Sequence, residues 1–69
     1  PKDDPAIAIT YSNIGNVYRK EKKYQKALES YNEALRIREK SLGKEHPSTA
    51  KAYSNIALIH YKQGKSEKA

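Results

Sequence analysis

The sequence predicts an all-α chain of antiparallel helical hairpins. Three observations predict it. The chain repeats itself, since Pro5 and Pro47 lie 42 residues apart and the same offset lays Tyr11-Ser12-Asn13-Ile14 on Tyr53-Ser54-Asn55-Ile56. Apolar side chains recur at three- and four-residue intervals over long stretches, as one face of a helix requires. Those periodicities leave no room for the strict alternation of a half-buried strand.

The first helix runs from about Pro5 to Glu21. Asp3-Asp4 supplies capping carboxylates, Pro5 sits where a first turn tolerates proline, and Ala8, Tyr11, Ile14, Gly15 and Tyr18 form the apolar stripe. Glu21-Lys22-Lys23 carries no apolar anchor and makes a polar corner. Tyr24, Ala27, Leu28, Tyr31, Ala34, Leu35 and Ile37 then define a second helix ending near Leu42, where Gly43 can take the left-handed conformation that finishes a helix. After Lys44-Glu45-His46, Pro47 restarts the pattern. Ala50, Tyr53, Ile56, Ala57 and His60 repeat the first helix's spacing up to Gln63-Gly64, and that glycine marks a second corner, with Ser66 to Ala69 opening a further helix. The organisation is therefore residues 1–4 as cap or linker, 5–42 as a complete hairpin, 43–46 as linker and 47–69 as a second unit interrupted after its first helix. Gly15, Ala27 and Ala34, with Ala57 and Ala69, fall where two helices could approach closely. Glycine is unfavourable inside a helix, so its presence in this register points to contact rather than to propensity.

These positions resemble the tetratricopeptide repeat family. Tyr11 occupies its large aromatic position, Ile14-Gly15 its Leu-Gly pair and Tyr18 its following Tyr, and Tyr24, Ala27, Tyr31 and Ala34 continue the order through the second helix. The second unit follows through Tyr53, Ile56-Ala57, Gly64 and Ala69, and departs at His60 and Ser66. The usual period is about 34 residues. The longer one here, with Arg36 to Gly43 followed by Glu45-His46-Pro47-Ser48-Thr49-Ala50, is similar to the kinesin light chain type. The resemblance implies a fragment of an α-solenoid in which neighbouring repeats complete one another's cores and the first helices of the repeats line a concave face.

Function would then lie in that face, as a non-catalytic scaffold for a peptide or partner segment. The family register nominates Asn13, Asn16 and Lys20 from the first helix, and Lys51, Asn55, Leu58 and Lys62 from the third. Asparagine can donate to and accept from a peptide backbone, lysine can neutralise acidic residues, and leucine can hold an apolar anchor. A subset of the family clamps a C-terminal carboxylate with lysine, asparagine and arginine from three repeats. Asn16 and Asn55 match two of its asparagines, but Ser12 stands in place of the first lysine, so an internal acidic or acidic and aromatic peptide is the better expectation.

Composition narrows the alternatives. Fourteen Lys and Arg against eight Asp and Glu give a net charge of +6, which permits phosphate contacts by Lys20, Lys22, Lys23 and Lys26 at one corner and Arg36, Arg38, Lys40 and Lys44 at the next. Glu21, Glu29, Glu33, Glu39 and Glu45 are interspersed among them, and most of the tyrosines are committed to packing, so a distributed surface charge is favoured over a nucleic-acid site. Cysteine is absent, which removes disulfides and thiol chemistry. His46 and His60 fit no metal-ligand spacing, no nucleophile elbow or phosphate loop accompanies them, and neither an enzyme nor a cofactor is expected. No apolar run approaches the roughly 20 residues of a membrane span. Self-association is the remaining expectation, because a third helix without its partner leaves an apolar face for another copy to cover. The parent protein is expected in the cytoplasm, although such arrays also occur in nuclei and organelles.

Overall fold

The computed structural model describes residues 4–68, and the side chains of residues 4–64. Asp3 as a capping residue and Ala69 as part of the next helix lie outside the described residues. Three helices follow one another: α1 Pro5–Lys20, α2 Tyr24–Leu42 and α3 Pro47–Lys68. None of them is long and apolar enough to cross a membrane.

The start of α1 is held by Asp4, whose carboxylate accepts from the Ala6 N–H at 2.8 Å, with Pro5 in the first turn. Its end is a Schellman arrangement: Lys23 N–H donates to the Tyr18 carbonyl at 2.9 Å and Lys22 N–H to that of Arg19 at 3.0 Å. Lys22 takes the left-handed position with φ 63°, a conformation that glycine normally fills. This turn reverses the chain, so that Ala8 packs near Ala34 and Ile37 while Gly15 meets Tyr31.

The corner between α2 and α3 closes more of its polar groups. Gly43 adopts φ 89° and ψ 159°, a region essentially reserved for glycine, and its N–H donates to the Glu39 carbonyl. Thr49, fully buried, donates its hydroxyl to the Gly43 carbonyl at 2.8 Å. His46 Nδ1 accepts from Ser48 N–H at 3.0 Å and thereby caps α3, which gives this histidine a structural role.

Helix α2 is the central element, with α1 on one side and α3 on the other. One core cluster joins Ala8, Ala34 and Ile37, with Ile7 and Tyr11 against it. The other joins Ala27, Leu28, Tyr31 and Ile59, flanked by Tyr18, Tyr24 and Ile56. Full burial of a side chain such as Ile37 or Ile59 is worth about 1.5–3 kcal/mol, so a few positions dominate the stability of so small a core.

Two expectations are corrected. Helix α3 continues through Gly64 to Lys68, and no corner forms there. Gly64 is the repeat equivalent of Lys22, yet the Lys65-Ser66-Glu67-Lys68 stretch after it contains no counterpart to Tyr24. Without apolar contacts to offset a turn, continued helix satisfies the backbone at least cost. The second correction concerns the docking face of α3. Thr49, Ala52 and Ile59 are buried against α2, with Ile56 partly so, whereas Ala50, Tyr53, Ala57 and His60 are exposed. The repeat is real, but α3 lies on the opposite side of α2 from α1 and must use its opposite face. Ile14 is exposed for the complementary reason, since no described helix covers the side of α1 that corresponds to the docking side of α3.

Candidate functional site

A cleft of about 400 Å³ opens between α1 and α3, with α2 beneath it. Spacing on α1 brings Ile9, Ser12, Asn13, Asn16 and Arg19 to one helical face, and Lys51 and Asn55 come from the start of α3. Lys51 and Asn55 are the repeat equivalents of Ile9 and Asn13, so matching turns of two parallel helices form the two walls. The remaining lining residue is Arg38, which rises from α2.

Four of the nominated residues thus meet in one place: Asn13, Asn16, Lys51 and Asn55. Lys20, Leu58 and Lys62 are not among the cleft's lining residues. Leu58 and Lys62 sit seven and eleven residues past Lys51, or about 10 and 16 Å further along the helix axis. Sequence reasoning passed over Ile9, Arg19 and Arg38 as site residues, and weighed Ser12 only as a lost lysine. The face of Asn13 and Asn16 already contained Ile9, Ser12 and Arg19 at helical spacing. Arg38 had no such signal, because it comes from the second helix of the hairpin. Nor does it fit the surface-charge cluster assigned to it, being only 8% exposed.

The electrostatics have a single sign. Arg19, Arg38 and Lys51 line the cleft, and among the described residues no carboxylate does. Asn16 is oriented by Tyr31, whose hydroxyl donates to Asn16 Oδ1, leaving the amide Nδ2 for other partners. Burial raises the Tyr31 phenol above its ordinary value near 10, partly offset by the Arg19 guanidinium. The protonated form is therefore favoured by folding, and its contribution is complete below pH about 10 and lost as pH rises through the raised folded value. Relative to Tyr31→Phe, the wild-type urea midpoint should fall more steeply above pH 10. Parallel pH profiles for the two proteins would show that Tyr31 is no more buried than a surface phenol.

A profile of the tetratricopeptide repeat matches residues 6–69, nearly the whole chain. The chain belongs to the tetratricopeptide repeat family. Repeats of this family generally mediate protein–protein interactions, and members are typically non-catalytic scaffolds that also contact neighbouring repeats. Gly15 shows why the small residue of a tetratricopeptide hairpin is needed: a Cβ there would lie 2.7 Å from the Tyr31 ring. With α1 and α3 as the first helices of successive repeats, the cleft lies between equivalent helices of the two tetratricopeptide units.

Proposed function

We propose that this chain is a non-catalytic interaction module whose concave face binds an acidic peptide or partner segment. The carrying observation is the cleft between α1 and α3, lined by three cations and three asparagines with no acidic side chain among them. Paired turns of asparagine suit an extended peptide backbone, which presents donors and acceptors alternately, and the positive potential selects against basic segments. The same charge could attract RNA, but no tyrosine able to stack bases lines the cleft: Tyr31 is buried, Tyr11, Tyr18 and Tyr24 pack against the core, and the exposed Tyr53 and Tyr61 lie outside the lining.

Fluorescence anisotropy with a labelled acidic, aromatic-containing peptide tests this reading. Asn55→Ala should weaken binding by about fivefold to tenfold, the usual cost of losing hydrogen bonds to a ligand, while Lys62→Ala, outside the cleft, should matter little. Absence of binding across a broad acidic peptide set, or binding indifferent to Asn55, would sink the proposal.

A second reading, self-association, is supported by the exposed Tyr53 and Ala57 on α3 and by Ile14 and Val17 on α1. Light scattering should then show mass rising with concentration. A constant monomer mass over a wide range would remove it.

A further inference from the structure

Two polar side chains lining the cleft have hydrogen-bonding capacity that no described residue fills. Arg38 is 8% exposed and Ser12 9% exposed, and both line the cleft. A guanidinium has five N–H donors. Among the described residues, the hydrogen bond of this one is NH1 to the Ser48 carbonyl at 3.4 Å, and it has no ion pair. Among the described residues the Ser12 hydroxyl has no hydrogen-bond partner. The spare N–H groups of Arg38 are open to the cleft, whereas the Ser12 hydroxyl is shielded and lacks an acceptor, and an anion with more than one acceptor oxygen engages both.

We infer that Arg38 and Ser12 form a carboxylate subsite that receives a Glu or Asp side chain of the bound peptide. The inference rests on the peptide-binding reading and gives it a chemical anchor. A carboxylate can accept in parallel from two guanidinium N–H groups and also from the serine hydroxyl. The depth of Arg38 selects the source of that carboxylate. A side-chain carboxylate descends to the floor on its methylene stem while the peptide backbone stays between the asparagines of the two walls. A chain terminus would have to carry its backbone down with it. Arg19 and Lys51, also lining the cleft, add attraction during approach. The pairing is bidentate and partly shielded by the cleft walls, so its effect on affinity should exceed that of a surface ion pair.

The test is NMR titration of the isotopically labelled chain with acetyl-Ala-Glu-Ala-amide and its Gln counterpart. The Glu peptide should shift the Arg38 Nε–Hε signal and bind about tenfold more tightly than the Gln peptide, as charge-assisted pairing implies. Arg38→Lys, which keeps the charge and loses the fork, should shrink that discrimination to about twofold. Ser12→Ala should reduce it without lowering the urea midpoint, because the lost hydroxyl was buried and had no partner. If Arg38→Lys does not fold, the Glu-to-Gln comparison and Ser12→Ala still decide. Equal binding of the two peptides, with shifts at Asn13 and Asn55, would overturn the subsite and leave the peptide reading standing. No shift at any of these residues would overturn both. Preferential response of Arg38 to acetyl-Ala-Ala-Ala with a free carboxylate, or to inorganic phosphate, would overturn the side-chain assignment.

Discussion

Gly15→Leu should abolish the stable fold of this chain. Gly15 is buried on the face of α1 that meets α2, and even a bare Cβ would approach Tyr31 Cε1 to 2.7 Å and Cδ1 to 2.8 Å. The ring has little room to yield. Tyr31 is 1% exposed, packed with Ala27, Leu28 and Ile59, and tied through its hydroxyl to Asn16. A leucine must therefore push α1 away from α2, which costs about 3 kcal/mol or more on the scale of core overpacking. A domain of this size is held by only roughly 3–10 kcal/mol, so far-UV circular dichroism should show an unfolded or partly folded population. Gly15→Ala is the finer probe. Alanine gains about 1 kcal/mol of helix propensity, yet the clash should still make it less stable than wild type. Adding Tyr31→Leu should remove the conflict, so the double variant should lose less than the sum of the single losses. An unchanged urea midpoint for Gly15→Leu would refute the close contact.

The second large effect should be Ile59→Ala, compared with Val17→Ala. The two positions are repeat equivalents, but Ile59 is fully buried in the cluster with Tyr31 whereas Val17 is 55% exposed. Truncating Ile59 leaves a cavity between α2 and α3 and should cost about 3 kcal/mol. Truncating Val17 should cost less than about 0.5 kcal/mol. Amide hydrogen exchange should accelerate selectively in α3 of the Ile59 variant, because its buried side chains among the described residues face α2. Similar effects at the two sites would mean that α1 and α3 are covered to the same degree, contrary to their burial.

Much of the fold was legible because its signals are local. Asp4-Pro5 at the start of α1, Gly43 at the end of α2 and His46-Pro47 at the start of α3 each determine backbone geometry within a few residues. The close approach at Gly15 was readable because glycine within a helical stripe needs a reason. What the repeat pattern could not convey was which face a helix uses. Ala50, Tyr53 and Ala57 copy Ala8, Tyr11 and Gly15, but their exposure depends on which neighbour lies beside them. Gly64 illustrates the same limit, since a residue that permits a corner does not make one without contacts beyond it.

The cleft divided along similar lines. Asn13, Asn16 and Asn55 were found because matching turns of parallel helices share a wall. Arg38 escaped because a charge in a basic stretch looks solvated until the fold closes around it, and its position depends on the α2–α3 junction rather than on helical spacing.

That junction also governs the curvature of a repeat stack. Thr49 binds the carbonyls of Gly43 and Arg38, while Arg38 reaches back to the carbonyl of Ser48, so the end of α2 and the beginning of α3 are cross-laced by side chains on both strands of the corner. The α1–α2 corner has the backbone bonds of its Schellman turn, with an exposed Lys23–Glu21 ion pair and Lys26 over the Tyr18 ring as its side-chain contacts among the described residues. Successive repeats therefore meet at a stiff elbow, and the aperture of the groove on the front is set by hydrogen bonds at its back.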